Sequence, residues 1–272
     1  MNTKGAGHRM DRTHDTAAFF TADGDGLLPG EDARSWWSPD ALHGRLLGGL
    51  LARALEREHH AEGLHFARLT VDLFRTCPFA PVRVTTERIR DGRRIRVADA
   101  VVHGANGAVA RASAVLLRRG EQPAGEVPAT PDWDAPPPEE IAPVRHGMPW
   151  NFWQFDGDNR PVTSWRGVAV RRAWLRDEAD LVAGESLSPF TRVALAADTS
   201  SPMSHRSDDD LEFINADYTL TLARLPLSDA IGFQATAHSS EDGVAAGHCT
   251  LYDTAGPIGY SMTTALANSR RS

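Results

Sequence analysis

Asp198 is the residue of this chain best suited to chemistry. It is the one carboxylate in an apolar helical pattern formed by Phe190, Val193, Leu195, Ala196 and Ala197. A carboxylate beside a helix core face is costly to bury unless it is paired, hydrogen-bonded or put to use. Two readings stay open. Asp198 either deprotonates water as a general base, or it lies past the helix end and caps the next segment, as Thr199-Ser200-Ser201-Pro202 allows. A second set of residues is His43, Gly44, Gly48 and Gly49, on a helix marked by Leu42, Leu46, Leu47, Leu50, Leu51 and Leu55. Each glycine costs a helix about 1 kcal/mol relative to Ala. Such a helix needs close approach to something, either a ligand or a neighbouring backbone. His43 is a substrate contact or a helix cap.

The elements that must hold these residues come in duplicate. Thr70, Arg75 and Gly107-Ala108-Val109 fall opposite Thr219, Arg224 and Gly256-Pro257-Ile258 at a constant offset of 149 positions. A repeat of this length fixes architecture before any local reading. In the first copy Ser38-Pro39 reads as a helix start. Strand-like runs come next at 64–75, 82–89, 95–102 and 109–117, with turns at Asp91-Gly92 and Gly104-Ala105-Asn106-Gly107. In the second copy Ser188-Pro189 starts the helix, and strands lie at 211–225, 230–238, 244–252 and 257–267. A helix followed by an antiparallel meander cannot bury both faces alone. Two such units placed edge to edge make one continuous sheet with fewer open edges. The fold class is α+β, with helices on one face of an antiparallel sheet.

Boundaries come from composition. Residues 1–30 are expected to be a disordered N-terminal segment, 31–118 the first unit, 119–149 a proline-rich linker crossing the outside, and 150–268 the second unit. The aromatics Trp150, Phe152, Trp153, Phe155 and Trp165 reopen folded structure, as core-packing residues or as a substrate wall.

With 41% hydrophobic residues among 272, the chain builds a real core. A formal charge of −7 without a basic stripe argues against nucleic acid. No apolar run approaches the roughly 20 residues of a membrane span. The N-terminus lacks a signal-peptide pattern, and Cys77 and Cys249 make no disulfide framework, so a cytoplasmic setting is expected. No metal or cofactor is expected: His8 and His14 read as tail, and His59-His60 as a solvated helix end. There is no Gly-x-Ser-x-Gly elbow, phosphate loop or dinucleotide fingerprint.

Taken in order, His43-Gly44-Arg45-Leu46-Leu47-Gly48-Gly49, Phe74-Arg75, the run from Ser186 to Asp198, Phe213 to Asp217, Arg224-Leu225-Pro226 and Leu251 to Ser261 resemble the double-hotdog acyl-CoA thioesterase II family, in its actinobacterial branch. The resemblance spans residues 30–268. It implies a double hotdog fold and hydrolysis of an acyl-CoA or acyl-carrier thioester by water activated at Asp198. Attack by Asp198 itself through an anhydride is the variant. The family's Thr and Gln positions fall on Asn215 and Thr263, both able to bind water, with Tyr218, Thr219 and Thr264 as possible substitutes. Gly48 and Gly49 would give the oxyanion its N–H donors, and a homo-oligomer is expected. At the offset of 149, Gly49, Phe66 and Ala114 stand opposite Asp198, Asn215 and Thr263, so one working site is expected. Two alternatives remain: a hotdog enoyl-thioester hydratase or dehydratase, for which His205 in a polar loop is the nearest histidine, and a non-catalytic acyl-CoA binding module.

Overall fold

The computed structural model describes residues 17–36, 38–141, 149–207 and 211–268. The tail holding His8 and His14 lies outside them, as does part of the linker. In chain order the first half has strands β1 (Ala18–Asp23) and β2 (Gly26–Pro29), helix α1 (Gly44–His59), and strands β3 (Leu64–Leu73), β4 (Arg83–Asp91), β5 (Ile95–Gly104) and β6 (Gly107–Arg118). The second has β7 (Trp150–Phe155), β8 (Arg172–Asp177), β9 (Asp180–Val182), helices α2 (Pro189–Ala197) and α3 (Ser200–His205), then β10 (Phe213–Asn215), β11 (Asp217–Leu222), β12 (Ile231–Glu241), β13 (Val244–Asp253) and β14 (Gly256–Ala267).

Among the described residues eleven strands form one sheet, ordered β4-β5-β6-β3-β11-β14-β13-β12-β8-β7, with β10 paired to β14. The two copies join at β3 and β11, antiparallel, with Thr70 directly opposite Thr219. These two residues are related by the repeat offset, and Thr219 Oγ1 donates to Thr70 Oγ1 at 3.2 Å. A local twofold axis therefore runs through the join. α1 packs along α2, and Phe66 on β3 stacks on Phe190 of α2 with ring centroids 4.1 Å apart.

Four expectations need correction. The strands of each copy do not form a simple meander: β3 pairs with β6 and β11 with β14, which leaves the first strand of each copy free to make the central join. Residues 18–29 are not disordered: β1 pairs with β2 and β9, and Phe19 and Phe20 are buried in the core. Ser38-Pro39 does not start α1. The N–H groups of Ala41, Leu42 and His43 go to the carbonyls of Ser38, Cys77 and Ala33, which pins this stretch as a turn and leaves His43 to cap the helix. The linker is exposed at residues 120–129 but then packs inward. Trp133 stacks on Tyr252 and approaches Trp174, and the indole N–H groups of Trp153 and Trp174 donate to Ile141 and Pro136 carbonyls.

Candidate active site

The end of α2 is held on three sides by side-chain donors. Tyr218 Oη on β11 donates to the Ala194 carbonyl at 2.9 Å, Arg45 Nε on α1 to Leu195 at 3.4 Å, and Ser261 Oγ on β14 to Ala197 at 3.1 Å. The last carbonyls of a helix lack intrahelical partners, so these bonds fix the position of the next residue. That residue is Asp198, the C-cap of α2, 9% exposed. Asn215 Nδ2 donates to Asp198 Oδ1 at 2.8 Å. Burial raises the carboxyl's pKa, and the Asn215 bond and the Arg45 charge pull it partly back. The negative end of α2 acts in the same direction as burial. Asp198 does lie past the end of α2, and its backbone carbonyl accepts the Ser201 N–H, but its carboxylate caps nothing and is engaged by Asn215.

α1 brings His43 and Arg45 to the same place. His43 Nδ1 accepts the Arg45 backbone N–H at 3.4 Å, which puts the ring proton on Nε2. Burial, then the Arg45 charge, lower its pKa to about 3, so the ring is neutral at ordinary pH. Arg45 is itself buried. Its Nη2 donates to both oxygens of Asp177 at 2.7 and 2.8 Å, and its guanidinium lies 4.9 Å from the Trp150 ring centroid.

A largely apolar cavity of about 170 Å³ opens onto Asp198. The first half supplies Trp36, His43 and Arg45 to its wall, and the stretch at the end of α2 and in α3 supplies Asp198, Thr199, Pro202 and Met203. The remaining face comes from Trp150, Phe152 and Gln154 on β7, Trp165 in the following loop, Leu175 on β8 and Arg206 just after α3. Strand alternation divides the aromatics cleanly. Trp150 and Phe152 face the cavity, while Trp153 and Phe155 join Trp174 in a separate cluster.

Residues 33–117 match the N-terminal domain of acyl-CoA thioesterases, and residues 124–267 match their C-terminal domain. The chain belongs to the acyl-CoA thioesterase family. The thioesterase is thus a thioester hydrolase acting on acyl-CoA, and its architecture is the double hotdog. A hot-dog-fold protein of unknown function from Alicyclobacillus acidocaldarius superimposes with TM-score 0.68 at 15% identity, covering 94% of this chain and 98% of the other. The acyl-CoA thioesterase II TesB2 of Mycobacterium marinum gives 0.61 at 16%, covering 84% and 91%. The TesB protein of Mycobacterium avium subspecies paratuberculosis gives 0.65 at 13%, covering 92% and 96%. No curated protein sequence matches the chain.

Of the residues singled out in the thioesterase sequence, the structure joins Asp198 to Asn215 and places His43 on the same cavity. Thr263 is buried on the inner face of β14, but its Oγ1 lies 2.9 Å from His205 Nε2. His205 is not in a polar loop: it ends α3, buried, with Nδ1 2.9 Å from His238 Nδ1. Tyr218, Thr219 and Thr264 are engaged with Ala194, Thr70 and Asp217. Gly44 opens α1, and Gly48 and Gly49 lie inside it. A Cβ at Gly48 would sit 2.1 Å from Tyr218 Oη, and one at Gly49 2.4 Å from Leu195 Cδ2. Close helix–sheet and helix–helix approach therefore accounts for both. Sequence reasoning missed Arg45, Trp36, Gln154 and Met203. A charged residue one turn before Gly48, inside an apolar stripe, was the available signal for Arg45.

Proposed function

We propose that the thioesterase hydrolyses acyl-CoA by direct attack of water, with Asp198 as general base. The observation that carries this is a buried, raised-pKa carboxylate, oriented by Asn215, at the wall of an apolar cavity. Asp198 takes a proton from water as the water oxygen bonds to the thioester carbon. The carbonyl electrons move to oxygen, and the neutral His43 donates from Nε2–H to that oxyanion. A neutral imidazole suits this role, since it polarises a carbonyl without losing its proton. Collapse breaks the C–S bond, and the proton held by Asp198 passes to the departing thiolate of CoA. Asn215 favours the ionised base, and Thr263 steadies His205 at the end of α3.

A single turnover in heavy-oxygen water separates this from attack by Asp198 itself. Water attack puts the label in the released acid on the first turnover. An anhydride route delivers an unlabelled enzyme oxygen to the acid and leaves the label on Asp198, and that outcome overturns the general-base assignment. The hydratase reading asks for an Asp/His couple; His43 and Asp198 do line one cavity, but the match to acyl-CoA thioesterase domains over both halves favours hydrolysis. The free thiols of Cys77 and Cys249, both buried, support a reducing, cytoplasmic setting. Outer strands β4 and β7 are the edges through which a homo-oligomer would pair.

A further inference from the structure

The cavity wall comes mostly from the second half of the chain. Residues 150–182 carry β7, β8 and the Trp165 loop; β8 pairs with β12 at Leu175 and Ile231, as β2 meets the chain just before β4 at Leu27 and Val82. This segment brings Trp150, Phe152 and Trp165 to the cavity that holds the base. Trp36 stacks on Trp150 with centroids 5.1 Å apart and planes at 25°, and His43 meets both rings edge-on. The chamber they form measures about 170 Å³, close to the roughly 150 Å³ of an apolar cavity that holds one benzene ring.

We propose that this chamber is the acyl subsite and that it selects a single-ring acyl group, such as a phenylacetyl thioester. The inference rests on the reading of Asp198 as the hydrolytic base. A flat ring fills the space and gains offset-stacked and edge contacts that indole walls offer and an aliphatic chain does not exploit. A long chain fills the chamber with its first carbons. Its remaining methylenes stay in water and contribute nothing to binding.

The test is thiol release from phenylacetyl-, hexanoyl- and palmitoyl-CoA by the intact protein. The expected kcat/KM is highest for phenylacetyl-CoA, by about tenfold or more over palmitoyl-CoA, the scale on which a filled apolar pocket discriminates. Hexanoyl- or palmitoyl-CoA equalling or exceeding it overturns the proposal. Trp165→Leu, which opens the wall, is expected to narrow the gap by raising the rate on palmitoyl-CoA. The non-hydrolysable thioether S-benzyl-CoA gives a reading independent of turnover. It should change the native protein's tryptophan fluorescence saturably and be displaced by phenylacetyl-CoA more readily than by palmitoyl-CoA. Cleavage of no thioester, with S-benzyl-CoA still bound, would count against Asp198 and leave the ring subsite standing. Failure to bind S-benzyl-CoA, with palmitoyl-CoA well cleaved, would do the reverse.

Discussion

The Asp198 carboxylate works under two opposed influences, burial that favours its proton and the Asn215 amide and Arg45 charge that favour its loss. A base must be ionised to accept a proton, so the acid limb of the rate profile tracks this group. Asn215→Ala removes a donor to the anion and pushes the carboxyl pKa further up. The acid limb of kcat/KM should therefore move to higher pH. The rate near neutrality should fall about ten- to a hundredfold, the worth of one hydrogen bond to a charged group. A pH profile for the variant that keeps the wild-type acid limb would detach Asn215 from the base. Asp198 itself was legible in the sequence, because a lone carboxylate on an apolar stripe asks for an explanation. Its partner Asn215 was reached through the family pattern, and Thr263 was placed in the same set although its hydroxyl lies against His205. A strand pattern reports which face a side chain occupies, not which buried neighbour it meets.

At the scale of elements, α1 and α2 are held close by missing side chains. Gly48 admits the Tyr218 hydroxyl, whose bond to Ala194 helps fix the end of α2. Gly48→Ala gains about 1 kcal/mol of helix propensity but overpacks the join at a cost of about 1–3 kcal/mol. It also displaces a hydrogen bond worth about 1 kcal/mol. We expect a net loss of about 1–3 kcal/mol in urea unfolding, with lower activity. Gly44→Ala is the control: its Cβ would meet Leu73 Cδ1 at an ordinary 3.4 Å, so its stability should hold or rise. Equal stability of both variants would mean that close approach is not what the glycines serve. Turn positions, the succession of strands along the chain and the need for close approach at the glycines were readable from local chemistry, whereas the pairing of β3 with β6 and of β11 with β14 was not. The true start of α1 was not, since long-range bonds to Cys77 and Ala33 override the Ser-Pro signal.

Across the whole molecule, duplication supplies the frame and its breaking supplies the site. The sheet is continuous through Thr70 and Thr219, yet the 149-residue offset sets Gly49 against Asp198. The offset was visible in the sequence and is visible again in the strand limits, since β5 and β13 and likewise β6 and β14 start and end that far apart. The aromatic wall was legible only as an alternative to core packing, because which strand face meets the cavity is set by long-range pairing, of β8 with β12 and of β9 with β1. One carboxylate should then carry all turnover, with no second site to sustain it. The direct measurement is thiol release from acyl-CoA by Asp198→Asn, alongside its circular dichroism and unfolding midpoint. The account predicts a folded protein whose kcat falls by about a hundredfold to ten-thousandfold, the range for a lost general base. A folded Asp198→Asn variant turning over at near the wild-type rate would contradict it.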